Sequence, residues 1–390
     1  MPQLPGTPEE GVLGRRHRLQ GLRLLPERQP RLVVQQLAGL VEALDRVVLF
    51  DVVRVVLGFK AGRVDRFLLL DVLVEHRKLG RLTRSSPRAP SPCATGPSAF
   101  PRALRRVTAM ANHDVYADIG VIGGSGFYSF LEDVTEVSVD TPYGSPSDSL
   151  FLGEIAGRQV AFLPRHGRGH TVPPHRIDYR ANLWALRSVG VRQVLGPCAV
   201  GGLREEYGPG TLVVPDQLVD RTKNRAQTYF DGERRADGAV PNVVHVTFAD
   251  PYCPDGRRVA VKAARGRGWE PVDGGTMVVV EGPRFSTRAE SRWHAAAGWS
   301  VVGMTGHPEA VLARELGLCY TSLALVTDLD AGAETGDGVS HTEVLRVFGE
   351  NVGRLREVLF DAVGALPATA DRDCLCMRAH DGWDLGIELP

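Results

Sequence analysis

Several familiar features are missing from this chain. Six cysteines among 390 residues, scattered apart from Cys374-Leu375-Cys376, make no disulfide framework at this length. A reducing, cytoplasmic setting is expected. No run of about 18 uncharged apolar residues occurs, so no helical membrane span is expected. The start, Met1-Pro2-Gln3-Leu4-Pro5, has no basic stretch ahead of an apolar one, and no secretory signal is expected there. Net charge is missing too, because 46 basic residues offset 46 acidic ones. That balance hides a split: 19 Lys and Arg stand against 9 Asp and Glu up to Ala109, and 27 against 37 after it. Opposite biases predict two units rather than one.

One further absence concerns a glycine. Ile119 to Gly126 reads as an apolar strand running into a glycine-rich turn, Gly123-Gly124-Ser125-Gly126. A dinucleotide fingerprint needs a third glycine three residues after the second, to let the helix approach the strand. Ser129 stands there, which argues against a nicotinamide enzyme. Free phosphate asks for less: close backbone approach, exposed N–H groups and a hydroxyl such as Ser125. Such a turn is also common as plain turn chemistry.

The segment 1–109 is expected to be a basic N-terminal extension. Val33 to Leu79 is rich in Leu and Val but broken by charges, compatible with amphipathic helices. Thr83 to Pro101 turns to Ser, Pro, Arg and Ala, the composition of a linker. Its arginines invite a nucleic-acid, membrane-surface or targeting role, yet no aromatic interleaving, motif or clean basic face supports one. The expectation is that Met110 is the natural start and that the preceding segment is a gene-model artefact. No nucleic-acid or membrane partner is therefore expected.

From 113 to 367 the pattern predicts a single α/β domain with a central mixed sheet flanked by helices. Strands are expected at Gln159 to Leu163, Val191 to Leu195, Met277 to Val280, Ser300 to Val302 and Leu318 to Val326. Helices are expected at His175 to Val189, from Pro308 to about Glu315, and at Thr342 to Ala365. Just past the strand ends stand Ser125, Arg165 with His166, Cys198 with Ala199, Met304 with Thr305, and Thr327 with Asp328. Ligands of open α/β sheets bind at such ends. Each residue alone has a structural explanation as a cap, a surface charge or a buried histidine. Together Ser125, Arg165, His166 and Thr305, with a backbone N–H near Ala199, make a cationic, donor-rich anion site. Asp328 would repel an anion and better suits a nitrogen heterocycle.

From about 118 to 366 the chain resembles the trimeric purine nucleoside phosphorylases, most closely the 5′-methylthioadenosine phosphorylase branch. The matching strings are Ile122-Gly-Gly-Ser-Gly126, Arg165-His-Gly-Arg168 with His170, Asn182-Leu-Trp-Ala-Leu186, Glu281-Gly-Pro-Arg-Phe-Ser-Thr-Arg-Ala-Glu290, Gly303-Met-Thr305 with Pro308-Glu309, and Thr327-Asp-Leu-Asp330. The resemblance implies phosphorolysis: phosphate attacks C1′ of a nucleoside and releases a purine and ribose 1-phosphate. It implies phosphate contacts from Ser125, Arg165, His166, Cys198, Ala199 and Thr305. Met304 would lie under the ribose, Phe285 and Ser286 would line the purine pocket, and Asp328 and Asp330 would be the catalytic acidic pair. His341 and Val344 would be substrate-binding residues. His245 would reach a neighbouring subunit's site, implying a homotrimer. No metal or organic cofactor is implied, and no Cys/His cluster with ligand spacing is evident.

Two departures bear on substrate. Cys198 stands where the methylthioadenosine branch has a threonine, and a thiol is a poorer donor. His341 stands where that branch places an apolar residue against the methylthio group; a histidine there matches enzymes that bind a 5′-hydroxyl. Burying an imidazole against a thioether leaves polar atoms unpaired, at roughly 1–3 kcal/mol. Asp328, in contrast, suits a 6-aminopurine, where 6-oxopurine enzymes carry asparagine. A hybrid pocket is expected, with methylthioadenosine phosphorolysis the main alternative. A hydrolytic nucleosidase would need a positioned water and base instead of the phosphate site, and a non-enzymatic nucleotide-binding protein would tolerate loss of Asp328. The tail 368–390 offers only Cys374-Leu-Cys376, two thiols that can bind metal or form a redox pair but are more often incidental.

Overall fold

The computed structural model describes residues 105–106, 115–124, 133–331, 338–368 and 373–390, all within one unit, Ser98–Pro390. Ser125, the helices expected between Val33 and Leu79, and the expected start at Met110 lie outside the described residues. The strands are β1 (Arg105–Arg106), β2 (Ile119–Gly123), β3 (Thr135–Ser138), β4 (Leu150–Ile155), β5 (Arg158–Pro164), β6 (Gln193–Gly202), β7 (Leu212–Val214), β8 (Gln217–Arg221), β9 (Val272–Asp273), β10 (Thr276–Val280), β11 (Val301–Gly303) and β12 (Cys319–Asp328). The helices are α1 (Tyr179–Ser188), α2 (Pro254–Gly266), α3 (Arg288–Ala296), α4 (Glu309–Glu315) and α5 (His341–Ala365). One mixed sheet results, in the order β1-β3-β4-β5-β2-β6-β11-β10-β8, with β12 paired to β6 and β7, and β7 to β9.

Both faces of the central strands are covered, and the residue pattern shows why. Side chains alternate between faces along a strand. Ile119 and Val121 of β2, with Val160 and Phe162 of β5, pack with Val259 of α2 and Leu355 and Leu359 of α5. Ile122, Ala161 and Leu163, on the opposite face of those strands, pack with Leu183 and Leu186 of α1 and Leu312 of α4. Each fully buried Leu, Ile or Val contributes about 1.5–3 kcal/mol. Strands buried on both sides read as continuous apolar runs, as these do. None of the described helices is long and apolar enough to cross a membrane.

Three expected elements differ. The helix expected from His175 is a short 3-10 turn, Pro174–Arg176, followed by α1. Asp178 intervenes as N-cap, its Oδ1 accepting from the Ala181 N–H at 3.0 Å, which starts the helix anew. The strand expected to stop at Leu195 runs on to Gly202, so Cys198 and Ala199 lie inside it rather than past its end. Pairing with β12 along nearly the whole length sustains it. On the other side β2 pairs only as far as Leu195, so no ladder there needs the N–H that Pro197 lacks. The last strand likewise includes Thr327 and Asp328.

The tail departs further from expectation. Cys374 and Cys376 pack with Cys253 and Cys319 in a buried cluster, so ligand spacing that is invisible along the chain is created by the fold. Asn242 N–H donates to the Leu385 carbonyl at 2.9 Å, tying the segment after Cys376 to residues 240–245.

Candidate active site

Where β2 stops and β6 continues, the exposed edge of β6 becomes the wall of a cavity of about 420 Å³. Its lining includes Arg165, His166, Cys198, Ala199, Thr305, Met304, Phe285, Ser286, Asp328, Asp330, His341 and Val344. Ala199 is the exposed residue of an otherwise buried β6 and faces this space. The shared placement does not come from strand ends pointing one way. β2, β5 and β12 run parallel to β6 or to its neighbour, but β11 is antiparallel to β6. Met304 and Thr305 therefore return along β6 from the opposite direction.

The anion end is built around Arg165, which follows β5 and is almost wholly buried. Nε and Nη2 donate to the two carboxylate oxygens of Glu309 at 2.6 and 3.0 Å, and Nη1 donates to the Pro197 carbonyl at 2.9 Å. Burial acts to lower its pKa, but the charge and hydrogen bonds of Glu309 outweigh this and raise it, so the guanidinium stays charged. Three of the five N–H donors of a guanidinium are thus engaged, and two remain for an anion. Tyr320 Oη donates to Glu309 Oε2 at 2.6 Å. Gly196 makes room for that phenol: a Cβ there would overlap the Tyr320 hydroxyl and lie 2.8 Å from its Cζ.

His166 does not add the positive charge expected of it. Burial, then the neighbouring Arg165 charge, pushes its pKa down to about 4. Nδ1 lies 2.9 Å from the Val172 carbonyl; a carbonyl only accepts, so Nδ1 carries the proton and Nε2 offers a lone pair. With Arg165 matched by Glu309 and His166 neutral, the site is rich in donors rather than strongly cationic. A neutral Nε2 suits the single P–OH of monohydrogen phosphate.

Cys198 is a buried thiol whose pKa is raised chiefly by burial, and its Sγ lies 3.7 Å from Ser322 Oγ. It therefore has a partner in the core as well as a place on the cavity wall.

At the other end stand the two aspartates. β12 opposes β6 through Val326 and Val200, then skips a residue so that Asp328 faces Gly201. This bulge at Thr327 re-aims Asp328. Burial foremost raises the Asp328 pKa, and the Thr327 hydroxyl, 2.8 Å from its Oδ2, only partly offsets that. Oδ1 accepts from the Asp330 N–H at 2.9 Å. The same Thr327 hydroxyl lies 3.3 Å from the Val200 carbonyl. A protonated Asp328 can donate to Thr327 Oγ1 while Thr327 donates to Val200. Asp330 has φ 47°, a left-handed conformation that Asp tolerates better than most residues. Its Oδ2 is buried and unpaired among the described residues. Gly201 is required beside both: a Cβ there would stand 3.1 Å from Asp328 Oδ1 and from Asp330 Cβ.

Strand β6 thus acts as a ruler. Pro197 touches Arg165 and Gly201 abuts Asp328, so the two ends are separated by four residues of strand, roughly 13 Å.

Sequence reasoning missed several supports. Glu309 was visible only as part of a matching string, and Tyr320 and Gly196 not at all. Arg225, 8% exposed, ties the wall together by donating to the carbonyls of His307, Glu281 and Met304 at 2.6, 2.8 and 2.9 Å. Phe285 and Ser286 precede a capping box, Thr287 with Glu290, that also anchors Arg284. His170 stacks on His166 with centroids 4.3 Å apart. His245 is absent from the lining: it is exposed and lies edge-on to Trp383 at 6.2 Å.

Comparison with known proteins accords with this geometry. Residues 118–363 match the family described as the phosphorylase superfamily. The purine nucleoside phosphorylase of Streptomyces coelicolor is 79% identical over 281 residues, 72% of this chain and 100% of that relative. The S-methyl-5′-thioadenosine phosphorylase of Mycolicibacterium smegmatis is 54% identical over 273 residues, 70% of this chain and 99% of the relative. Among solved structures, methylthioadenosine phosphorylase from Schistosoma mansoni in complex with adenine gives a TM-score of 0.60 at 38% identity, covering 63% of this chain and 91% of the other. With most of its length matched in this way and the central mixed sheet in place, the chain belongs to the phosphorylase superfamily.

Proposed function

We propose that this chain is a purine nucleoside phosphorylase, a pentosyltransferase that moves the ribosyl group from a purine to phosphate, and that it favours nucleosides with a free 5′-hydroxyl. The observation that carries this reading is one cavity with Arg165 and Asp328 at opposite ends of the β6 edge. Cleaving the glycosidic bond builds positive charge on the ribose and negative charge on the departing purine. Phosphate held by Arg165, Thr305 and the backbone at Ala199, with Nε2 of His166 accepting its P–OH, stabilises the ribosyl cation and then bonds to C1′. Asp328, whose pKa burial raises, is the group placed to share or donate a proton to N7 of the leaving base. Ser125 completes the phosphate contacts implied by the resemblance. Asp328 also suits a 6-aminopurine, which makes adenosine the preferred ordinary nucleoside.

The second reading is methylthioadenosine phosphorolysis. It is favoured by Val344, Leu345 and Phe348, apolar residues that line the cavity on α5 beside His341. The kcat/KM ratio of adenosine to methylthioadenosine decides between them. We expect the ratio to exceed one in the natural protein and to drop by about 5- to 150-fold in His341→Leu, the equivalent of 1–3 kcal/mol for an unpaired polar group. A strong preference of the natural protein for the thio compound would refute the role given to His341.

We further infer a homotrimer in which His245 serves a neighbouring copy's site, since it is exposed and does not line the cavity of its own chain. Sedimentation velocity should report the trimer mass, and a monomer at assay concentration would contradict the inference.

A further inference from the structure

Away from the cavity, four cysteines from three parts of the chain meet. Cys253 is the N-cap of α2, Cys319 opens β12, and Cys374 and Cys376 lie in the C-terminal segment. All are buried, at 0, 3, 8 and 2% exposure, and none is in a disulfide. Their sulfur atoms all lie within 4.8 Å of one another, and those of Cys253 and Cys374 are 3.8 Å apart. A tetrahedral zinc with Zn–S of about 2.3 Å places its sulfurs about 3.8 Å apart. We propose that Cys253, Cys319, Cys374 and Cys376 form a tetrathiolate site for a zinc ion that fastens the C-terminal segment to the core.

The surroundings suit thiolates better than a packed apolar cluster. A zinc tetrathiolate carries net negative charge, which burial opposes unless donors surround it. Arg314, 6% exposed, directs Nη2 at Cys376 Sγ from 3.6 Å, donates to the Thr247 and Asp250 carbonyls at 2.5 and 2.6 Å and lies over the Phe248 ring. Cys253 stands at the N-terminus of α2, where the helix dipole favours negative charge. Four clustered thiols with a buried guanidinium aimed at one of them make a built ligand set. Each thiol releases its proton to solvent on binding, so no oxidant or reductant is needed.

The site explains how the tail is held. Residues 373–390 contribute few apolar side chains to the core clusters, chiefly Leu385, Ile387 and Leu389 packed at the edge of one. Metal bonds at Cys374 and Cys376 anchor the segment at its beginning, and the Asn242 to Leu385 bond continues the attachment.

The test is elemental analysis of the full-length, tag-free chain purified under reducing conditions, followed by release with a thiol-mercurial reagent and capture by a colorimetric zinc chelator. About one zinc per chain is expected. Replacement by cobalt should give the ligand-field and sulfur-to-metal charge-transfer bands of a tetrahedral thiolate centre. The double substitution Cys374→Ser and Cys376→Ser should lose the metal and lower the unfolding temperature while leaving phosphorolysis measurable, and proteolysis should then clip the tail faster. Four alkylatable thiols with no metal and no cobalt spectrum would overturn the proposal. So would an intact mass and peptide map showing the four cysteines paired as disulfides in the protein as isolated from cells.

Discussion

Glu309→Ala is expected to lower the free energy of unfolding by about 3–5 kcal/mol, the range for removing one partner of a buried ion pair. Glu309 is completely buried and makes both carboxylate bonds to Arg165. Without it a charged guanidinium remains in a dry wall with only the Pro197 carbonyl as partner. The cavity offers a specific remedy, because an anion bound there becomes the missing counterion. Phosphate should therefore raise the unfolding temperature of the variant more than that of the natural protein. Gly196→Ala should act on the same pair more mildly, by driving Tyr320 off Glu309. Denaturant titrations with and without phosphate check both. A Glu309→Ala loss below about 1 kcal/mol, against the expected range, would mean that Arg165 is not held by this pair.

Asp328→Ala is expected to reduce kcat by about 10²- to 10⁴-fold, the usual contribution of a positioned general acid, with little change in KM for phosphate. Asp328→Asn should behave differently. An amide donates to a purine nitrogen without titrating, and it presents N–H groups that complement a 6-oxo rather than a 6-amino group. The ratio of inosine to adenosine kcat/KM should rise, by about 5- to 150-fold if one mispaired polar contact worth 1–3 kcal/mol is exchanged. The pH dependence has a defined sign. Burial raises the Asp328 pKa, so the proton survives to higher pH than on an ordinary carboxyl, and kcat falls as pH rises through that raised value. Asp328→Asn should lack this alkaline fall. Equal rates for the natural protein and Asp328→Ala would remove Asp328 from the chemistry.

How much of this was legible beforehand follows from what each feature depends on. β2 and β5 announce themselves because each apolar residue is required on one face or the other, a local property. Arg165 and His166 were placed at a strand end for the same reason. The extension of β6 through Gly196 and Pro197 was not readable, since glycine and proline signal a turn and only the long partner β12 overrides them. The antiparallel return of β11 and the bulge at Thr327 are matters of pairing, which no local pattern encodes. The electrostatics shifted most. Arg165 and His166 look like two cations in the chain, yet a carboxylate 144 residues away matches one and desolvation neutralises the other. Cys253 and Cys374 lie 121 residues apart in the sequence, so only the fold could assemble the four cysteines.

The most direct test is purine release from adenosine at neutral pH, with and without inorganic phosphate, with the sugar product identified. Strict phosphate dependence, with ribose 1-phosphate formed in step with adenine, is the predicted result. Adenine release that persists without phosphate and yields free ribose would contradict the account, and would leave Arg165, His166 and Thr305 without the role their geometry supports.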